Sequence, residues 1–154
     1  VGEVEDRLKA MGLELPEPPE PLAQYVPAIR AGDTVLTAGH LPMRGGQLIC
    51  TGRLGEQVAL EQGRECAQAC ALNALAAVRQ LIGDLNHVQE VVQLRGFVAS
   101  APEFTEQPEV LNGASELMVE LFGEPGHHVR SAVGVSVLPR NAPVELELVV
   151  RVRR

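Results

Sequence analysis

Aromatic residues are scarce in this chain of 154 residues: one tyrosine, three phenylalanines and no tryptophan. A core without rings has to be filled by Val, Leu and Ala, and single-stranded RNA finds little to stack on. Positive charge is short as well. Thirteen Lys and Arg against twenty Asp and Glu leave a formal net charge of −7, which weighs against a broad basic footprint for nucleic acid or anionic membrane. A local cationic pocket stays open. Cysteine is limited to Cys50, Cys66 and Cys70, an odd count without a framework of spacings, as expected for reduced thiols in a cytoplasmic protein. No apolar run approaches the length of a membrane span, and no signal-peptide pattern opens the chain. There is no phosphate-binding Walker loop, no dinucleotide fingerprint after a strand and no nucleophile elbow, so no cofactor is expected.

What is present is a soluble globular composition, 45% hydrophobic and 21% charged, in a length that fits one domain over residues 1–154. The last stretch, His127 to Val152, is the most informative. Two alternating runs flank the turn formers Leu138-Pro139-Arg140-Asn141-Ala142-Pro143, which predicts a β-hairpin. On that reading Val129, Ser131, Val133, Val135 and Val137 share the core face with Val144, Leu146, Leu148, Val150 and Val152. The other face then carries Arg130, Ala132, Gly134 and Ser136 beside Glu145, Glu147, Val149 and Arg151. Matching faces pairs Val137 with Val144 and Arg130 with Arg151. Arg130 and Glu145 would lie roughly 20 Å apart along the ladder. If both serve one site, two copies of the chain supply them.

Upstream, EVEDRLKAM (3–11) reads as a short helix, and the prolines of LELPEPPEPLA as an extended strap, so residues 1–22 form an amino-terminal helix and strap. The strap is either a recognition segment or a cover packed on its own domain. Short strands are expected at 25–30, 34–41 and 47–52, then a helix over 56–82 rich in alanine. A strand over 87–100 follows, and then the cleanest amphipathic helix, with Val110, Leu111, Ala114, Leu117, Met118, Leu121 and Phe122 on one side. The fold class expected is α+β, a mixed sheet with two helices on one face. The uncovered face asks for a partner subunit.

Several residues invite chemistry, each beside a plainer role. Arg130 could grip a carboxylate through two parallel hydrogen bonds, or form a salt bridge with Glu145 or Glu147 of another chain. Glu145 and Glu147 could polarise a water, or be solvated and paired. His127-His128 could suggest metal or acid/base work, but no Cys, His or carboxylate cluster at ligand spacing supports a metal. Cys66 and Cys70, one helical turn apart, fit small core residues better than a metal pair, and Cys50 has no activating neighbour in sequence. Asn112-Gly113 is either a cap or an amide offered to a ligand. Tyr25 and His40 are either pocket walls or packing.

Together, HVRSAVGVSVLPRNAPVELE, TAGHLP at 37–42, Tyr25 and Asn112 resemble the RidA/YjgF family, also labelled L-PSP endoribonuclease, from about Tyr25 onward. The Pro-rich strap and GFVASAPEFTEQPEVLNGASELMVELFGE resemble a bacterial subgroup of it. The resemblance implies a chorismate-mutase-like fold and a homotrimer with a central barrel and three inter-subunit clefts. In the family's deaminases an arginine holds the carboxylate of a 2-imino or enamine acid while water adds to the C=N carbon and ammonia leaves. Arg130 matches that arginine, Glu145 the water-positioning glutamate, and Tyr25 and Asn112 the pocket's tyrosine and asparagine. Ala38, His40 and Ala132 stand where the family usually has serine, glutamine and cysteine. There only backbone groups, such as those of Gly39 and Ala132, could serve a ligand.

Three functions follow as expectations. The first is a trimeric hydrolase of imino and enamine acids. The second is a non-catalytic binder of small carboxylate-bearing metabolites. The ribonuclease activity in the family label ranks last, given the acidic, aromatic-poor chain.

Overall fold

The computed structural model describes residues 2–18, 20 and 24–154. Five strands form one mixed sheet: β1 (Ala28–Ala31), β2 (Thr34–Thr37), β5 (Val88–Ala99), β6 (Val129–Val135) and β7 (Val144–Val152), in the order β1-β2-β7-β5-β6. A separate two-stranded ribbon joins β3 (Met43–Arg44) to β4 (Gln47–Leu48). Helices α2 (Leu60–Ile82) and α3 (Gln107–Phe122) pack side by side on one face of the sheet. The short helix expected over 3–11 is α1 (Glu3–Ala10), which packs against α3 through its buried Val4 and Leu8 and brings the described residues to three α-helices.

The expected terminal hairpin is absent. β6 runs parallel to β5 on one side, and β7 runs antiparallel to β5 on the other. The end of β5 separates them. The Ser100 amide donates to the Val135 carbonyl, and the Ala99 amide donates to the Pro143 carbonyl, each at 2.9 Å. The turn formers at 138–143 are therefore a crossing, not a tight turn, with Arg140 and Asn141 both in left-handed backbone (φ 59° and 60°). Local turn chemistry was read correctly, but the choice of strand partner is tertiary. β7 supplies five buried apolar side chains, each worth about 1.5–3 kcal/mol on burial, and that row belongs at the centre of a sheet.

The core face of β7 is as expected: Val144, Leu146, Leu148, Val150 and Val152 are all buried. That of β6 is inverted. Its register sets Arg130, Ala132 and Gly134 beside Leu94, Gly96 and Val98, all facing the helices, while Val129, Ser131 and Val133 face away. The helix side of β6 is shallow because it is an edge strand, so an arginine can lie there with its head at the rim. The pairings of Val137 with Val144 and of Arg130 with Arg151 do not form; Arg151 pairs with Thr34 and Glu90.

No helix among the described residues covers the second sheet face. A row runs across it from Ile29 through Leu36 and Val149 to Gln93 and Val129, with Ile29 57% and Val129 64% exposed. Carboxylates and apolar groups mix there, since Phe97 lies between Glu145 and Val133, and Arg95 pairs with Glu147 at 3.3 Å.

The alanines of α2 allow close helix packing. A Cβ on Gly113 of α3 would strike the Arg64 carbonyl of α2. α2 begins at Leu60, later than the pattern from 56 suggested, where the Ala59 amide donates to Gln62 Oε1 at 2.9 Å. Its buried Asn73 donates to the carbonyls of Leu41 and Met43 (3.1 and 2.9 Å), which ties the loop after β2 to the helix. The described part of the strap packs on its own domain through Leu13 and Leu15. The expected extended segment at Pro19 and Pro21–Ala23 lies outside the described residues.

Candidate functional site

The residues singled out from the sequence fall into two separate clusters, here called half-sites. The first gathers at the edge formed by α3 and β6. Arg130 Nη1 donates to Asn112 Oδ1 at 2.9 Å and to Ser115 Oγ at 3.0 Å. Asn112 and Ser115 share one side of α3 because they are three residues apart. Asn112 therefore lies inside the helix, which starts at Gln107, and the capping role does not apply. No acidic side chain lies within salt-bridge distance of Arg130 among the described residues. Glu116, one residue past Ser115, is taken by Arg64 at 2.7 Å. A guanidinium has five donors. With both Nη1 hydrogens committed, the edge bearing Nη2 and Nε remains for a guest. Ala132 lies two residues on, partly buried against the core, and brings only a methyl group and its backbone.

Ser115 and His128 also meet here; Ser115 escaped the sequence reading, which considered His128 only for metal or acid/base work. Ser115 Oγ is 2.9 Å from His128 Nε2, and His128 Nδ1 is 2.7 Å from the Gly126 carbonyl. Burial holds the imidazole below its ordinary pKa, the Gly126 carbonyl opposes that, and Arg130 and His127 add to the depression. The spacing of Asn112 and Ser115 was the available signal. Nothing in sequence tied either residue to His128. No group of three or more potential metal ligands occurs among the described residues.

The second half-site forms where the chain leaves β2. Thr37 Oγ1 accepts from the Leu148 amide at 3.0 Å and donates to the Ala38 carbonyl at 2.8 Å, which fills the break in pairing. His40 then resumes the ladder, exchanging two backbone hydrogen bonds with Leu146 (2.7 and 3.1 Å). Between them Gly39 passes over Glu145 so closely that a Cβ would collide with the carboxylate. Glu145 is held above the ordinary carboxylate range, first by burial and then by Glu147. Its side chain lies on the helix-free sheet face, opposite Phe97.

Tyr25, Ala38, Gly39 and His40 line one cavity of about 1030 Å³, which strap residues around Pro16 line as well. His40 is both wall and packing. The residue is 5% exposed, its Nε2 lies 3.3 Å from the Pro27 carbonyl, and burial lowers its pKa against that bond. Arg130, Asn112 and Ala132 do not line this cavity. The structure thus brings together Tyr25, Ala38, Gly39, His40 and, through Gly39, Glu145. Separately, it brings together Arg130, Asn112 and Ala132.

Cys66 and Cys70 are both buried in the core, as expected of small core residues. Cys50 Sγ lies 2.9 Å from Cys66 Sγ, while Cys70 is wholly buried and donates to the Val144 carbonyl at 3.6 Å. Burial raises the pKa of both Cys66 and Cys70.

Residues 5–151 match the family profile described as "YjgF/chorismate_mutase-like, putative endoribonuclease". Protein TCP17 of Trypanosoma cruzi is 40% identical over 150 residues, spanning 97% of this chain and 94% of that protein. The crystal structure of Atu1372 from Agrobacterium tumefaciens, a protein of unknown function, is 44% identical with a TM-score of 0.92, over 97% of this chain and 92% of that one. A 2-iminobutanoate/2-iminopropanoate deaminase of Dermatophagoides farinae is 29% identical over 140 residues, 90% of this chain and 93% of that protein.

Proposed function

Because this chain belongs to the YjgF/chorismate-mutase-like (RidA) family, we propose that it hydrolyses reactive 2-imino and enamine acids to 2-oxo acids and ammonia. The observation that carries this reading is Arg130: a guanidinium fixed by two neutral oxygens and, among the described residues, free of any acid and with one edge unspent. That edge suits a carboxylate, which accepts two parallel N–H donors. The bound acid keeps its C=N carbon beyond the carboxylate. Water adds to that carbon as Glu145 takes one of its protons and returns it to the nitrogen; the hydroxyl proton of the resulting carbinolamine then passes to the amino group as the C–N bond breaks, leaving C=O and ammonia. Burial makes Glu145 a better proton acceptor near neutral pH than an ordinary glutamate.

Arg130 and Glu145 act in one cleft only when separate copies supply them, and the assembly this reading needs is a homotrimer. The helix-free sheet face, with Ile29, Leu36, Val129 and Val133 exposed, is the surface on which copies would meet. The test is release of 2-oxo acid from freshly generated 2-aminoacrylate. Arg130→Ala should abolish the release while the oligomer persists. Unchanged deamination in that variant removes Arg130 from the mechanism.

Binding without turnover is the second reading, and one feature favours it. Ala38 and Ala132 carry no hydroxyl or thiol, and the His40 ring is committed to Pro27. Calorimetric saturation by a 2-oxo acid with no release of product from imino acids would select it.

A further inference from the structure

We propose that Ser115 and His128 are positioning residues for Arg130, joined to it in a one-way relay of hydrogen bonds that fixes which edge of the guanidinium meets the substrate carboxylate. This rests on the proposed role of Arg130.

The direction of each bond follows from what each group can do. The Gly126 carbonyl only accepts, so the His128 nitrogen 2.7 Å away, Nδ1, carries a hydrogen. In the neutral ring Nε2 is then a bare acceptor, and the Ser115 hydroxyl, 2.9 Å away, must donate to it. That leaves the lone pairs of Ser115 Oγ for Arg130 Nη1, which can only donate, at 3.0 Å. Asn112 Oδ1 takes the other Nη1 hydrogen at 2.9 Å. No group in the relay has a free choice.

Its far end is anchored in backbone. Gly126 is buried, and its α-carbon sits so near the Met118 carbonyl of α3 that a Cβ would collide with it. The Gly126 amide donates to the Gly123 carbonyl at 2.8 Å, in the turn that closes α3. The relay therefore ties the guanidinium to the carboxyl end of α3 as well as to its middle. Without Ser115 and His128 the side chain keeps only Asn112 and regains rotation about its last bonds. Ordering it again would then fall to the substrate.

The test compares wild type with Arg130→Ala, Ser115→Ala, Ser115→Thr, His128→Ala and His128→Gln. Calorimetry gives the affinity for 2-oxobutanoate, and turnover of an imino acid generated in situ by an amino acid oxidase gives KM and kcat. Loss of one partly buried, charge-assisted hydrogen-bond link predicts that Ser115→Ala and His128→Ala weaken binding and raise KM about tenfold. Since a carboxylate is held alike in substrate and transition state, kcat should stay within about threefold. Ser115→Thr, which keeps the hydroxyl, and His128→Gln, which keeps an acceptor near Nε2, should recover most of the affinity. If Arg130→Ala destroys binding while Ser115→Ala and His128→Ala bind as wild type does, the relay is overturned. It is overturned too if kcat falls with KM unmoved, or if the Thr and Gln variants recover nothing although they fold. If Arg130→Ala itself binds and turns over normally, the failure lies with the proposed function instead.

Discussion

Arg130 and Glu145 stand on opposite faces of one sheet. β5 is the ruler between them: Arg130 is beside Leu94, and Glu145 is beside Phe97. Residues three apart on a strand point to opposite sides, and Leu94 is buried under the helices. No side-chain rotation within a single chain carries a carboxylate through the sheet to the guanidinium. The separation is topological, so a site that uses both has to be assembled from more than one copy.

Complementation tests this directly. Arg130→Ala and Glu145→Gln should each be inactive alone. When equal amounts are unfolded together and refolded, a cleft works if one chain brings Arg130 and the other Glu145. In a ring of heterologous contacts each condition holds half the time, so recovery should reach about a quarter of wild-type activity. No recovery from a mixture shown by native mass spectrometry to contain mixed oligomers would sink the shared cleft.

The pH profile offers a second check. Burial and Glu147 both raise Glu145, so the acid limb of kcat/KM should lie above the ordinary glutamate value of about 4.3. Removing the neighbouring negative charge makes Glu145 easier to ionise. Glu147→Gln should therefore move the limb to lower pH, and the Arg95 that Glu147 now pairs should push the same way. Burial is the larger cause and remains, so the limb should not return fully to the ordinary value. A limb that stays put or rises in Glu147→Gln would show that another group sets it.

What the sequence disclosed follows the range of the forces involved. The buried row of β7 was legible because alternation is local and a shift by one residue would bury Glu145 and Glu147. The helix face of α3 was legible for the same reason. The valines of β6 misled because an edge strand facing an uncovered sheet surface can carry apolar residues outward, and Val129 does. That inversion moved Arg130 onto the helix side, where Asn112 and Ser115 meet it. Asn112 was singled out as a possible ligand amide and given a pocket role by family resemblance, whereas His128 is fixed by a turn whose packing no local pattern reports. The Thr37 bridge was hidden likewise, since it repairs a mismatch between β2 and β7 that exists only once they pair.

Gly113 supplies a stability prediction with an unusual sign. Glycine to alanine inside a helix ordinarily stabilises by about 1 kcal/mol. Here the new Cβ meets the backbone carbonyl of Arg64, which cannot swing aside as a side chain would. α2 and α3 must separate, and overpacking of this kind costs about 1–3 kcal/mol. Gly113→Ala should thus lower the urea midpoint and disturb the Asn112–Arg130 contact next to it. Asn141, in left-handed backbone with φ 60°, is a useful contrast, because Asn141→Gly should be tolerated or mildly stabilising. A Gly113→Ala protein as stable as wild type would mean that the two helices are not in contact at this point.

His40 gives a prediction whose direction comes from linkage. Its ring is buried against the Pro27 carbonyl, and burial keeps its folded pKa below the value of about 6.5 expected in an unfolded chain. Between those two values the unfolded chain takes up a proton that the folded one refuses. The stability tied to His40 is therefore complete above the unfolded value and declines as pH falls toward the folded one. His40→Gln keeps an amide donor for Pro27 but cannot titrate. Urea midpoints of both proteins should be compared at pH 7.5 and 5.5. His128, also depressed, is common to the pair, so its effect cancels in the comparison. The wild type should lose more stability than His40→Gln on acidification, and an identical drop in the two would mean that His40 is not the group taking up the proton.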